Sequence, residues 1–550
     1  MDIYNYQLLV IGGGCGGASA AIQAARLGIK TLLIEETPWL GGMVTSAGVS
    51  AFDGNKYAVG GGIFAELRSM IEDYYGGADK TFTGWISLTC FEPKKGMEFL
   101  HQIASREKSL DIWFESSLVK PLLSGKRVTG AQIKRKDGSV VQVNAQITIE
   151  ATEFGDLLKL ADIPYRLGRD AKSDTGETDA CDKWDGEVQD VTFCAILKKY
   201  DGTAPAIAPS ADYDPERFIN STDVHCDTTD EKILGHKLHS FESFITYAAL
   251  PNDKYLLNWP FRSNDYPTTI DLYENLPNRK WHYEQAKRLT LDYIHYIQTR
   301  LGHPEWGLAT DEFPTEDHLP FIPYVRESRR IKGLRLMKEE DVIPVSGSYR
   351  PPLQKDSIAI GDYFLDHHHS KFFVGPEDER ISENFPDNAP FQIPMGTLIP
   401  EGYEGVIASE KSISVTHIVN GCTRLQPCVM QTGQAAGVLA AVAIKKNISA
   451  SAVAAEEVQD ILLDAGAPLF PYKDLYPANP HFKVIQKLAL QGVIIDEEDH
   501  QFYPEKTVSA EEVTGWFKNY AAGVPLNGQE LAGMRRDEAF ARIAERLSRR

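Results

Sequence analysis

An α/β fold with a parallel sheet at its centre is predicted by three features of this sequence. The first is an apolar run at 7–11 that stops at Gly12-Gly13-Gly14-Cys15-Gly16-Gly17. The second is an Ala-rich helical stretch at 18–27. The third is another apolar run, Thr31-Leu32-Leu33-Ile34, which ends on Glu35, twenty-one positions after Gly14. In this order they form a βαβ unit of the dinucleotide-binding, Rossmann-like kind. The whole chain is expected to join that unit and a β-meander to a mixed α+β cap or substrate domain and a small helical C-terminal module.

Each part of the unit has a physical reason. Gly12 permits the tight turn after the strand, Gly14 lets the backbone approach a pyrophosphate, and Gly17 allows close packing of helix on strand. The helix then turns free N–H groups and its positive dipole end toward the phosphates. Glu35, at the tip of the second strand, is placed to accept hydrogen bonds from a ribose diol.

Composition bounds the class. The chain has 550 residues, enough for two to four domains, with a formal net charge of -20 and a pI near 5.2. Nucleic-acid and anionic-lipid partners need clustered Lys and Arg and are not expected. No run of residues reads as long and apolar enough to span a bilayer, and Met1-Asp2-Ile3-Tyr4 leads straight into the first strand without a basic leader. A cytoplasmic setting is expected, although a removed signal peptide would leave the same sequence. The seven cysteines, Cys15, Cys90, Cys181, Cys194, Cys226, Cys422 and Cys428, lack CxxC or finger spacing and read as reduced structural thiols with no metal site.

The order of segments suggests how the chain is divided. Residues 128–143 alternate around Lys136-Asp137-Gly138, a hairpin with a D-G turn. A further strand ends at Glu150-Ala151-Thr152-Glu153-Phe154-Gly155-Asp156. Residues 1–170 are therefore assigned to the nucleotide-binding domain and 171–345, with a helical block at 281–301, to the cap. Residues 346–447 return to the first domain and end in the small-residue helix around Thr432-Gly433-Gln434-Ala435. In 471–550, Phe482, Ile485, Leu488 and Ala489 recur at helical spacing, and Ser509 with Glu512 makes a capping box.

Several strings together carry a family resemblance. Gly41-Gly42-Met43 follows the second strand. Later come Tyr324-Val325-Arg326-Glu327-Ser328-Arg329-Arg330, Gly361-Asp362-Tyr363-Phe364-Leu365-Asp366-His367-His368, Ile393-Pro394-Met395-Gly396-Thr397, and Thr423-Arg424-Leu425-Gln426-Pro427-Cys428. Their order over about residues 1–447 resembles the FAD-dependent oxidoreductases, in particular a bacterial group that bears a xanthan lyase-related label. The stretch 479–513 resembles a single S-layer-homology repeat, which fits a packed or docking tail as well as a surface contact.

The resemblance implies FAD held by Gly12, Gly14, Gly17, Glu35, Gly41, Gly42, Met43, Asp156, Gly433, Gln434 and Ala435. In related flavoproteins the late helix aims its dipole at the flavin. No His, Cys or Tyr stands where the succinate dehydrogenase group attaches its flavin, so the FAD is expected to be non-covalent. Two strings depart from the pattern: the family's A-G-R-x-I-S is Ala408-Ser409-Glu410-Lys411-Ser412-Ile413-Ser414, and the strand end at Glu150 lacks its glycine.

Hydride transfer to a flavin needs a substrate C–H, a base for any hydroxyl proton and a positive group for an oxyanion. His368, oriented by Asp366, His417 and Arg424 are the candidate catalytic residues. Arg326 and Arg329 are candidates to grip a substrate carboxylate, and the same Arg-rich run also fits an interdomain ion-pair network. A carbohydrate-type alcohol is the expected substrate, with Trp259, Phe261, Trp281, Tyr283 and Trp306 available to stack on sugar rings or to fill the core. The electron acceptor is left open. Alternatives are a fumarate-reductase-like reduction of an activated double bond and a non-catalytic FAD-containing binding protein.

Overall fold

A seven-stranded sheet organises the first part of the chain. The structure is a computed structural model, and it describes residues 1–54, 60–219, 221–222, 240–258, 263–369, 385–517 and 528–548. Strand β1 (Ile3–Ile11) pairs in parallel with β2 (Thr31–Ile34), joined to it by helix α1 (Cys15–Arg26). β2 pairs in parallel with β3 (Leu110–Trp113). On the other side β1 lies beside β6 (Val140–Glu150), which pairs in parallel with the strand Val406–Ala408. The apolar runs are buried on both faces: Leu8, Val10 and Leu33 enter one core, and Leu9, Ile11, Leu32 and Ile34 enter another. This two-sided burial is why those strands read as unbroken apolar stretches.

The meander extends the same sheet. β4 (Ser117–Ser124), β5 (Arg127–Lys134) and the first half of β6 are antiparallel, and Gly138 takes φ +82 in the predicted turn. Opposite β1, the other edge of β6 thus serves two partners along its length. Its early residues pair with β5, and from Thr148 onward it pairs with the strand Val406–Ala408.

Two small antiparallel sheets lie within 191–325. In one, Ala195–Lys199 is flanked by Lys254–Leu257 and Trp306–Leu308. In the other, Val191–Thr192 is flanked by Asp265–Tyr266 and Tyr324–Val325. The second sheet matters most for chemistry, because it sets Asp265 and Tyr324 on either side of Thr192.

The small-residue helix differs from its expected start. It runs Gln426–Lys446 with Pro427 in its first turn, so Gly433 sits well inside it. A Cβ on Gly433 would stand 2.1 Å from the Gly16 carbonyl oxygen, and one on Gly437 would stand 2.3 Å from that of Ala20. These glycines let the long helix lie against α1. By length and composition this helix could also cross a membrane, contrary to the sequence reading, but all of its apolar window is buried inside the protein.

The C-terminal helices Phe482–Leu490, Ala510–Trp516 and Arg536–Ser548 share the main hydrophobic core. Ser509 and Glu512 form the predicted capping box. Arg350 pins this region to the rest: its Nε donates to the Ile495 carbonyl (3.0 Å) and its Nη1 to that of Pro471 (3.1 Å).

Candidate functional site

The glycine turn is built as its spacing requires. Gly12 has φ +100, and a Cβ there would stand 2.1 Å from the Ala151 oxygen; a Cβ on Gly17 would stand 1.9 Å from the Gly12 oxygen. Gly41 (φ +110) donates its N–H to the Gly13 oxygen at 2.8 Å, and the Gly42 position abuts Gly14, so the two glycine segments lie against each other. Met43 is buried beside them. Glu35 accepts from the Gly13 N–H (2.7 Å) and the Thr37 N–H (2.8 Å), and burial pushes its carboxyl up to about 7.

Glu410 and Lys411 occupy this turn in a way the sequence did not indicate. Glu410, in a left-handed conformation (φ +51), accepts from the Gly16 N–H at 2.5 Å and the Gly17 N–H at 3.3 Å. The space that glycine leaves at position 14 is filled by the Glu410 carboxylate, 2.4 Å from where a Cβ would be. Lys411 is buried and lies 2.5 Å from Glu153 and 3.5 Å from Glu410. Ser409 Oγ and Glu153 Oε1 are buried at the same place without a hydrogen-bond partner. Of the groups at this turn, the Ser409 hydroxyl and the Lys411 ammonium suit a phosphate, whereas the Glu410 carboxylate takes the Gly16 and Gly17 N–H groups that the glycine spacing offers to one. Burial, with Glu410 adding to it, pushes the Cys15 thiol well up.

A second group of polar side chains lies where the three-stranded sheet meets the 362–369 segment. Arg424 donates through Nη1 to the Tyr324 hydroxyl (2.5 Å) and through Nη2 to Asp366 Oδ2 (2.7 Å). His368 stands between two carboxylates, with Nδ1 2.7 Å from Asp265 and Nε2 3.3 Å from Asp366. Asp265 also takes Arg326 Nη2 at 3.0 Å, and the Arg326 guanidinium lies 4.7 Å from the Tyr324 ring centre. Tyr324, Arg424, Asp366, His368, Asp265 and Arg326 are therefore one continuous chain of contacts.

The charges in this chain shift one another. Burial would push the Asp265 carboxyl up, but Arg326 and His368 hold it well below the usual range; Asp366 is likewise held down by His368 and Arg424 against its burial. Burial and Arg326 press the His368 imidazole down, and Asp366 and Asp265 outweigh them, so its pKa is raised. Asp53 belongs to the same group, with its carboxyl pushed up to about 7 by burial, against the pull of Arg424.

His417 lies in an adjoining network. Its Nδ1 is 3.1 Å from Glu327 Oε2, and its ring stacks on His367 at 4.7 Å. Gln189 joins the two networks: its N–H donates to Glu327 (3.1 Å), and its Oε1 accepts the His368 N–H (3.3 Å).

Several expected site residues are placed differently. Arg329 is fully buried, with Asp156 at 3.0 Å, the Phe154 oxygen at 2.7 Å and the Tyr273 oxygen taking its donors, so it holds the fold and leaves no fork for a substrate. Asp156, read as a cofactor residue, is gripped by both nitrogens of Arg279 (2.6 and 2.8 Å) as well as by Arg329. Gly433, Gln434 and Ala435 are buried between helices. Gln434 there takes the Ile63 N–H at 3.1 Å and donates to Gln23 at 2.9 Å. Of the aromatics, Trp306 is core, edge-on to Tyr255 at 4.8 Å, and Trp281 is on the surface. Trp259 and Phe261 lie outside the described residues. Among the described residues no cluster of His, Cys, Asp and Glu could hold a metal ion.

Asp53, Asp265, Tyr324 and Glu327 were missed as site residues. Glu327 did carry a signal, lying between Arg326 and Arg330 in the conspicuous Arg-rich run.

A glycine turn built between a parallel strand and a helix, in a chain that also holds a partly exposed group of paired charges, is the arrangement of a dinucleotide-dependent enzyme. The chain belongs to the FAD dependent oxidoreductase family, whose model matches residues 7–462. FAD is its cofactor, and the reading as a non-catalytic binding protein is set aside. Among curated proteins it is 31% identical over 172 residues to a digeranylgeranylglycerophospholipid reductase of Picrophilus torridus, covering 27% of this chain and 40% of that one. A protein of the same name from Thermoplasma acidophilum is 30% identical over 166 residues, again 27% and 40%. The chain thus spans well under half the length of these relatives. Among solved structures, a geranylgeranyl bacteriochlorophyll reductase-like protein from Thermoplasma acidophilum aligns over 94% of this chain and 98% of its own, at 13% identity and a TM-score of 0.36.

Proposed function

We propose that this oxidoreductase oxidises a hydroxyl-bearing carbon of a small polar substrate, a carbohydrate-type alcohol or polyol. The observation that carries this reading is which groups of the charged chain reach solvent. Asp366 (22% exposed), His368 (19%) and Asp265 (16%) reach solvent, whereas the Arg326 and Arg424 side chains are 2% exposed each. The part of this group that reaches solvent therefore carries two carboxylates and no guanidinium, which suits the O–H donors of a polyol better than a carboxylate.

In this reading the glycine turn at Gly12, Gly14 and Gly17, Glu35, the Gly41-Gly42-Met43 segment and the start of the Gln426–Lys446 helix hold FAD non-covalently. Bound FAD supplies a two-electron acceptor for the hydride of the carbinol carbon. Arg424 and Arg326 fix the two aspartates, and these in turn fix the His368 ring.

A second reading, reduction of an activated double bond, is supported by the name of the curated relatives. It would need a cationic group at the reacting carbons, which the burial of both arginines disfavours.

The test is anaerobic mixing of the FAD-loaded protein with sorbitol, myo-inositol and glucose, alongside lactate and fumarate. Loss of the long-wavelength flavin band with a polyol or sugar supports the proposal. Flavin that stays oxidised with all three, or re-oxidation of pre-reduced flavin by fumarate alone, overturns it.

A further inference from the structure

Three aspartates belong to this group of interacting charges, and only one of them has a free carboxyl. Asp265 is taken by Arg326 and His368, and Asp366 by Arg424 and His368. Among the described residues, no hydrogen bond or ion pair takes the half-buried Asp53 carboxyl, although its backbone is held firmly. Its N–H donates to Gln426 Oε1 at 3.1 Å, and Gln426 Nε2 donates to the Ala51 oxygen at 3.3 Å, fixing this segment on the first turn of the long helix. At the next position a Cβ on Gly54 would stand 3.3 Å from Tyr363 Cβ and 3.5 Å from Leu425 Cβ, so the segment lies between the 362–369 segment and the residue after Arg424.

A carboxyl carried on a pinned backbone and left without a partner is available to a substrate group. His368 is not comparably available, because a carboxylate already faces each of its ring nitrogens. We infer that Asp53 is a further catalytic residue, the base that accepts the hydroxyl proton in the alcohol oxidation proposed above. The inference rests on that reading. The substrate O–H bond breaks with its proton passing to a carboxylate oxygen of Asp53. The carbinol C–H bond breaks with its electron pair passing as hydride to FAD, and the C–O single bond becomes a carbonyl.

Burial pushes the Asp53 carboxyl up to about 7; Arg424, Asp366, His368 and Arg326 act on it, and the Cys90 thiol and the Tyr247, Tyr324 and Tyr363 hydroxyls interact with it too. Only the ionised form accepts a proton. The rate of flavin reduction should therefore rise with pH to a plateau above about 7, and should fall about tenfold per pH unit below it.

The experiment measures anaerobic flavin reduction by sorbitol, myo-inositol and glucose from pH 5.5 to 9, using FAD-loaded wild type, Asp53→Asn and Asp53→Glu. Expected are a wild-type limb near pH 7 and a roughly 10²–10⁴-fold slower Asp53→Asn whose limb is gone. Asp53→Glu should keep a limb and recover part of the rate. If a polyol reduces the flavin but wild type shows no limb, or Asp53→Asn keeps both limb and rate, the inference fails while the alcohol reading stands. If no polyol reduces the flavin, the reading fails and Asp53 loses this role with it. Should Asp53→Asn not fold, the wild-type limb and the Asp53→Glu profile decide alone.

Discussion

Nη2 of Arg424 lies 2.7 Å from Oδ2 of Asp366, and the arginine is almost wholly buried while the aspartate reaches solvent. Removing the guanidinium leaves a carboxylate in a desolvated site with only His368 to balance it. Breaking a buried pair costs about 3–5 kcal/mol, and the lower end applies because Asp366 is partly wet. Arg424→Gln should lose about 3 kcal/mol in urea unfolding and reduce its flavin more slowly. Arg424→Lys, which keeps the charge but not the fork, should lose less of both.

Glu327 offers a pH test of the neighbouring network. It is fully buried, accepts the Gly168 and Gln189 N–H groups (3.1 Å each) and pairs with Arg330 and His417. Burial would raise its carboxyl, but His417 and Arg330 hold it well below the ordinary value of about 4.3. With the folded pKa depressed, its stabilisation is full above about pH 4.3 and is lost as pH falls through the folded value. Glu327→Gln should therefore be markedly less stable than wild type at pH 7, and the gap in unfolding free energy should narrow below pH 4.

The long helix lies on α1 through Gly433, and the neighbouring atom is backbone, which cannot rotate away. Gly433→Ala should cost about 1–3 kcal/mol, as overpacking does. Because Gly16 belongs to the glycine turn, the same substitution should lower the flavin-to-protein ratio of the purified protein.

Lys411 is the buried cation between Glu153 and Glu410. Lys411→Met leaves two buried carboxylates uncompensated beside the α1 N-terminus. The variant should melt at a lower temperature and retain less FAD than wild type. Glu153→Gln added to it should recover part of both, as the absorbance ratio of flavin to protein and a thermal melt will show.

How much of this was legible in the sequence depended on the range of the interaction. The βαβ unit and the D-G hairpin are short-range patterns, and they stand where residues 7–35 and 128–143 placed them. The capping box at Ser509 is equally local. The group of paired charges is not local. Asp265 and Tyr324 flank Thr192 on two-residue strands too short to leave a periodic signal, and Asp53 comes from a distant part of the sequence. The Arg-rich run shows the limit most clearly. Arg326 goes to Asp265, Arg329 to Asp156 and Glu274, and Arg330 to Glu327 and Asp170. Adjacent residues leave the backbone in different directions, so a cluster in sequence became three separate pairings in space. The helix start was misread because the glycines at 433 and 437 are packing sites, while Pro427 carried the boundary.

The central claim is that the carbon bearing the hydroxyl gives its hydride to FAD at the group of His368, Asp366 and Asp265. Its most direct test is the rate of anaerobic flavin reduction by sorbitol, compared with sorbitol deuterated at its carbinol carbons. The account predicts that the flavin bleaches and that the deuterated alcohol bleaches it several-fold more slowly. Flavin that stays oxidised, or that bleaches at the same rate with either alcohol, would contradict it.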